Sequence, residues 1–364
     1  MHLNRIALLL FVAACGGPLP QQRAAAEKQG QARLQQLETA GLEIGEYALA
    51  GNAVVDGDTI KVVGLDASLR LRGVDAEETF KKEKERRAFE AGWEQYLKTS
   101  RGNSAHPVKM ATPIGEDGKH FAQEFFSGVS RVRLERDHPK EIRDYYNRYL
   151  AYVFAEKGGQ PVNYNVELVR AGLSPYFTKY GISRRFHRQF IDAENEARAA
   201  RRGIWDPTKM HYPDYDERKL WWDARGAFVQ AFEREAEGKD SWIVLTNSDA
   251  IDRLEKHVDR EVMVLGAVSS IRIGDRGPTK VMLSRKRGAD FPLILFDKDV
   301  LAATQVSKHN GEYVRVKGFV SRYTDPERKR YQLQIVIDLP SQISTSPTES
   351  KGPDEEEQEE EVGK

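Results

Sequence analysis

The chain has 364 residues, of which 40% are hydrophobic and 31% charged. That length exceeds one small module, and that balance excludes wholesale disorder and a multi-span membrane protein. Basic and acidic side chains number 56 each, but the last fourteen residues hold seven acids and two bases. The remainder carries 54 bases against 49 acids, a net +5 that permits a polyanionic partner without requiring one.

The apolar run at residues 6–14 follows Arg5 and precedes Cys15. It is too short to span a bilayer as a helix and reads as the core of a signal peptide over residues 1–15. Val12-Ala13-Ala14-Cys15 is similar to the bacterial lipoprotein lipobox, which implies export, acylation at Cys15 and a lipid anchor at the cell envelope. Cys15 is also the sole cysteine, so no disulfide framework exists and packed cores must hold the fold. Residues 16–44 read as a tether with one helix at 24–40. Residues 344–364 read as a disordered acidic tail, because a segment of this composition buries too little to offset its ordering entropy.

Residues 45–207 form the first expected domain. β-rich runs at 47–55 and 59–63 flank Asp56-Gly57-Asp58, a tight-hairpin signal in which glycine tolerates positive φ. A third strand at 68–74 completes an antiparallel meander. Strands at 130–135 and 149–155 follow, then helices at 162–171 and 184–202, the last setting Phe186, Phe190, Ala193, Ala197 and Ala200 on one face. Between residues 78 and 144 lies a long stretch. Phe89, Trp93 and Leu97 mark an amphipathic helix over 81–98 in it, and residues 115–120 read as its exit loop. Its candidate roles are a substrate lid, a brace near the lipid or a decorated surface loop.

Four groups of polar residues stand out. Asp58 leaves the hairpin, Arg70 sits in the third strand, Asp75 and Glu78 follow that strand, and Arg148 precedes the fifth. Two carboxylates at the ends of adjacent elements suit a hard cation, leaving open positions for water and a phosphate. Forked guanidinium groups hold phosphate oxygens and stabilise a five-coordinate transition state, and Glu78 is placed to accept a proton from attacking water.

These residues occur within five ordered motifs that resemble the staphylococcal nuclease (thermonuclease) family. The motifs are 54–62 (Val-Val-Asp-Gly-Asp-Thr-Ile-Lys-Val), 69–78 (Leu-Arg-Leu-Arg-Gly-Val-Asp-Ala-Glu-Glu), 144–152, 165–173 and 193–205. The resemblance implies Ca²⁺ held by Asp58, Asp75 and the Ala76 carbonyl, Arg70 and Arg148 on the scissile phosphate, and Glu78 as general base. It also implies hydrolysis of DNA or RNA that leaves 3′-phosphate ends, with Tyr176 or Tyr180 stacking on nucleotides. Glu77 stands where the family has proline, so two adjacent carboxylates compete for the base role; spacing from Asp75 favours Glu78. Losing that proline also loosens the turn.

Residues 208–240 read as a helical linker carrying Trp221, Trp222, Phe228 and Phe232. Residues 241–343 give strands at 261–273, 279–284, 291–296, 312–323 and 331–337, with a short helix after the third, which is the OB order. Residues 262–343 carry 14 basic and 8 acidic side chains, concentrated in Arg285-Lys286-Arg287 and Arg328-Lys329-Arg330. Phe291, Tyr323 and Tyr331 are candidates for stacking on bases.

The expected fold is therefore mainly β with helices (α+β): two OB-type five-stranded Greek-key barrels, the first with packed helices and a helical insertion. The expected function is a Ca²⁺-dependent endonuclease at the envelope, with DNA or RNA and the membrane as partners and no protein partner. The alternatives are a non-catalytic nucleic-acid- or protein-binding lipoprotein and an envelope scaffold.

Overall fold

Asp56 and Thr59 face each other across a two-residue turn. In the computed structural model, which describes residues 41–104, 107–275, 277–324 and 331–345, β1 (Glu43–Asp56) and β2 (Thr59–Val62) form this antiparallel hairpin. The signal peptide with Cys15, residues 16–40 of the tether, Arg328-Lys329-Arg330 and nearly all of the acidic tail lie outside the described residues. β1 begins inside the stretch expected as tether. Gly57 is not at positive φ, contrary to expectation. Its requirement is space: a Cβ there would lie 3.1 Å from the Ala76 Cβ and 3.3 Å from the Gly118 backbone.

The expected three-strand meander does not form. β3 (Leu69–Leu71) pairs in parallel with β5 (Tyr149–Lys157), Arg70 opposite Leu150. Asp66, in the connection from β2, accepts from Arg143 Nη2 and from the Tyr149 hydroxyl, each at 2.8 Å, and these bonds carry the chain to the start of β5. β4 (Arg131–Glu135) lies between β1 and β5, giving the order β2-β1-β4-β5-β3, with β6 (Gln160–Asn163) added on β5. β6 takes the start of the stretch expected as helix. The Asn163 side chain then accepts from the Asn165 amide at 3.1 Å and caps α4 (Tyr164–Arg170).

The insertion is helical but broken. α1 (Glu83–Glu90) and α2 (Trp93–Arg101) replace the single expected helix, and the break lets Phe89 and Trp93 meet edge-on at 5.8 Å while Tyr96 turns inward. The expected exit loop at 115–120 lies inside α3 (Pro113–Phe125). Thr112 caps it by accepting from the Gly115 amide, and Pro113 occupies its first turn. α3 presses so close to the β3 exit that a Cβ on Gly115 would lie 2.0 Å from the Glu78 carbonyl oxygen. α5 (His187–Ala199) buries Phe190, Ala193 and Ala197, and the first two join Leu71, Leu134, Tyr152 and Leu168 in the first core.

α6 (Tyr215–Glu235) packs on both halves of the unit. Trp222 meets Phe177 edge-on at 4.7 Å, whereas Val229 and Phe232 meet Leu265. β7 (Trp242–Val244) and α7 (Ala250–Lys256) precede the strands that the pattern marks: β8 (Glu261–Arg272), β9 (Thr279–Leu283), β10 (Phe291–Leu295), β11 (Tyr313–Thr324) and β12 (Tyr331–Val336). α8 (Lys298–Thr304) follows β10, and β13 (Ile343–Thr345) adds an edge strand. The pairings run β8-β9-β10-β12-β11 and return to β8, with β10 and β12 parallel. Val264, Val281, Leu293, Val316 and Ile335 fill the interior. Phe291 belongs to this core at 2% exposure, so it is no stacking platform; Tyr323 and Tyr331 are exposed. The fold is mixed α+β, with two sheets and, among the described residues, eight helices.

Candidate active site

The hairpin turn, the end of β3 and the insertion converge. Tyr164 of α4 donates its hydroxyl to the Gly57 carbonyl at 2.5 Å, fixing the turn that presents Asp58. Asn165 ties β3 to β5: its Nδ2 donates to the Arg72 and Ala151 carbonyls at 2.9 and 3.1 Å, and its Oδ1 accepts from the Val153 amide at 3.0 Å. Beyond β3, the Asp75 amide donates to Ser174 Oγ at 2.8 Å. These buried anchors hold the two aspartates in place from behind.

Arg70 joins the two aspartates. Its Nη1 lies 3.3 Å from Asp58 Oδ2 and its Nη2 lies 2.9 Å from Asp75 Oδ1. The Ala76 amide donates to Asp58 Oδ2 at 3.0 Å, so Ala76 is at the site and its N–H orients the carboxylate. Burial pushes the Asp58 carboxyl above the usual range, with Arg70 opposing the shift. Burial acts on Asp75 in the same direction, but Lys109 and Arg70 outweigh it and hold that carboxyl below the usual range. The Arg70 guanidinium also covers the Phe177 ring, at 5.3 Å from its centroid.

Glu78 and Glu77 part company. The Glu78 side chain is 35% exposed beside the site, with Lys81 Nζ at 2.9 Å and Lys109 Nζ at 3.8 Å. Glu77 is 1% exposed. Its Oε1 accepts from the Tyr212 amide at 2.8 Å and the Tyr215 hydroxyl at 2.7 Å, and its Oε2 accepts from the Thr112 hydroxyl. Where the sequence suggested a turn loosened by the missing proline, Glu77 pins the turn instead.

Arg148 stands apart from this group. Its Nε and Nη2 bind Asp144 Oδ2 at 2.8 and 2.6 Å, and it lies over Tyr146, making no hydrogen bond or ion pair with Asp58, Arg70, Asp75 or Glu78. It does neighbour β3, because the adjacent Tyr149 amide donates to the Ser68 carbonyl at 2.8 Å. Tyr176 is not available for stacking on a nucleotide. It is 2% exposed and lies flat on Phe190 at 4.8 Å, with its hydroxyl accepting from the Ser183 amide. Tyr180 is exposed, and Arg72 Nη1 holds its carbonyl at 3.1 Å. Of the second sheet's basic loop, Arg285 donates to the Ala289 carbonyl, while the Arg287 amide donates to the Tyr145 carbonyl at 3.0 Å. Lys286 and Arg287 are exposed next to the Arg148 turn.

A family model described as Staphylococcal nuclease homologue matches residues 68–207. A thermonuclease of Staphylococcus intermedius is 31% identical over 156 residues, 42% of this chain and 73% of that protein. The chain belongs to the staphylococcal nuclease homologues. An uncharacterised protein of Methanocaldococcus jannaschii is 32% identical over 156 residues, 42% of this chain and 69% of its own length. A thermonuclease of Staphylococcus hyicus is 28% identical over 154 residues, 72% of its length. The matched span of the staphylococcal nuclease homologues contains Arg70, Asp75, Glu78 and Arg148; Asp58 precedes it, and the second sheet follows it.

For a divalent cation in such a homologue, the donor set is hard carboxylate oxygen. Among the described residues no group of three acids, histidines or cysteines is arranged to hold a metal ion, so Asp58 and Asp75 are the charged ligands on offer, with water and phosphate oxygens to complete the shell. The Lys109 ammonium already rests on Asp75 Oδ1 at 2.8 Å, a stand-in that marks the place as attractive to a cation. The residues fit. Sequence reasoning missed Lys109 and Lys81, because single lysines in a charged insertion carry no pattern. It missed the Thr112, Tyr212 and Tyr215 partners of Glu77 because they lie 35 to 138 residues away.

Proposed function

We propose that the chain is a metal-assisted phosphodiesterase that hydrolyses DNA or RNA and leaves 3′-phosphate ends. The observation that carries this reading is Arg70 bound at once to Asp58 and Asp75, with the Glu78 carboxylate open beside them. Family membership and similarity to two thermonucleases support a nuclease-type hydrolase.

In this reading Asp58 and Asp75 would hold Ca²⁺, which would polarise the phosphate and lower the pKa of water. Glu78 takes the proton of the attacking water. Arg70 stabilises the charge that grows on the phosphate as the water oxygen bonds to phosphorus; the bond to the 5′ oxygen breaks, and that oxygen takes a proton from solvent to leave as a 5′ hydroxyl. Arg148, tethered to Asp144 by a half-exposed arm, swings onto the phosphate when substrate arrives. Tyr180 provides the stacking face.

The closed pairing of β8, β9, β10, β12 and β11, and the order of the first sheet, support two OB-type barrels. The second adds affinity for the same strand, with Lys286 and Arg287 beside the Arg148 turn and Tyr323 and Tyr331 exposed. Export and acylation at Cys15 complete the reading and place the enzyme at the envelope; loss of labelled-lipid incorporation in Cys15→Ser tests that part.

Digestion of single- and double-stranded DNA and of RNA, with Ca²⁺ or with EGTA, tests the activity. The expected result is cleavage only with Ca²⁺ and products that carry 3′-phosphate. Cleavage that persists in EGTA overturns the metal role, and binding without cleavage under every condition makes the protein a non-catalytic binding module.

A further inference from the structure

The insertion delivers a positive charge to the place where the cation is to bind. Lys109 Nζ lies 2.8 Å from Asp75 Oδ1 and 3.8 Å from Glu78 Oε1. The backbone that carries it is strapped down on both sides. The Val108 carbonyl accepts from Arg218 Nη2 at 2.6 Å, and the Met110 amide and carbonyl both bond the Tyr212 hydroxyl, at 3.0 and 2.7 Å. Ala111 bridges to Glu78, and the Thr112 amide donates to the Glu78 carbonyl at 3.0 Å. Tyr212 and Arg218 in turn belong to the segment leading into α6 and to α6 itself, so residues beyond the first sheet fix where Lys109 starts.

An ammonium has three donors and no lone pair, so it cannot join a metal's coordination shell. Lys109 and a divalent cation therefore compete for Asp75 Oδ1. The Lys109 side chain is 43% exposed on a flexible four-carbon stem, which lets it leave without disturbing the strap.

We propose that Lys109 is a built-in counter-ion of the metal seat, which a divalent cation must displace and which thereby sets the cation concentration at which the site fills. Lys109 is a positioning residue in this account: it pairs with the ligand Asp75 and lies near the base Glu78 until the ion arrives. The inference rests on the metal-assisted reading above.

Calorimetric titration of the full chain with Ca²⁺ tests it, together with the Ca²⁺ concentration that gives half of the thermal shift. The variants are Lys109→Gln and Lys109→Arg, with circular dichroism as the check on folding. Loss of the pair between a half-exposed lysine and a buried aspartate, and of the repulsion between ammonium and metal, predicts Ca²⁺ binding about three- to tenfold tighter in Lys109→Gln. In Lys109→Arg it stays within about twofold of wild type. Wild-type binding with an unchanged or weaker affinity in Lys109→Gln overturns the role of Lys109 and leaves the metal reading standing. Absence of Ca²⁺ binding in both proteins overturns the metal reading and the proposal together.

Discussion

Glu77 and Glu78 are adjacent in the chain and have opposite surroundings: the first is sealed among Thr112, Tyr212 and Tyr215, and the second is open beside Lys81 and Lys109. A carboxylate with three hydrogen bonds inside the protein is occupied with structure, whereas the Glu78 carboxylate, partly exposed beside Asp75, is the one the proposed mechanism uses as base.

Glu78→Gln is expected to lower kcat by about 10²- to 10⁴-fold with the melting temperature almost unchanged. Glu77→Ala strands buried donors and is expected to cost about 2–4 kcal/mol of stability. Glu77→Gln keeps the shape and most acceptors, so its activity stays near wild type. Urea melts and initial rates on the three variants separate these outcomes; a severe catalytic loss in Glu77→Gln would reverse the assignment.

The two arginines are expected to differ in kind. Arg70→Ala leaves two buried carboxylates facing each other, so it lowers stability by about 3–5 kcal/mol as well as activity. Arg148→Ala breaks only a half-exposed pair with Asp144, so its melting temperature stays close to wild type while kcat falls by about 10²-fold or more. Differential scanning calorimetry beside single-turnover rates reads both.

Arg225 of α6 and Glu312, both buried, form an ion pair, and Trp221 Nε1 donates to the same carboxylate at 3.0 Å. Removing one partner, as in Glu312→Ala, leaves a buried uncompensated charge and is expected to cost about 3–5 kcal/mol. The double change Arg225→Met with Glu312→Leu is expected to cost much less than either single change. Equilibrium unfolding of the double-mutant cycle gives the coupling.

Burial, helped by Arg184 and Lys140 and opposed by Asp137 and Asp249, lowers the His138 pKa to about 4. Its Nδ1 accepts from the Lys140 amide at 3.2 Å, a bond that the protonated ring cannot keep. The unfolded chain binds this proton near the ordinary value of about 6.5, so folding loses stability as pH falls from about 6.5 to 4. Above that window the loss is absent. His138→Gln is expected to flatten this part of the stability profile, measured by urea melts at pH 7 and pH 4.5.

Much of the architecture was legible along the chain. Alternating apolar runs mark β8, β9, β11 and β12, and a continuous apolar run marks β10, which is buried throughout; the spacing of Phe190, Ala193 and Ala197 marks the buried face of α5. The candidate acids and Arg70 were legible because they sit in short motifs next to turns. What pattern did not reveal is which strands pair. β3 abandons β2 for β5 through the bonds from Arg143 and Tyr149 to Asp66, partners some eighty residues away. Residues 115–120 looked like a loop for their glycines and polar side chains, yet those glycines let α3 press on Gly57 and Glu78.

Local order in this protein follows from side-chain periodicity and turn chemistry, which act over a few residues and are written in the sequence. The environment of each ionisable group does not. Whether Tyr176 meets a nucleotide or Phe190, whether Glu77 or Glu78 is open, and which cation rests on Asp75 depend on close approaches between segments far apart in the chain. Burial and Coulomb forces fall off over a few ångströms in space, whatever the separation in sequence, so only the folded arrangement decides them.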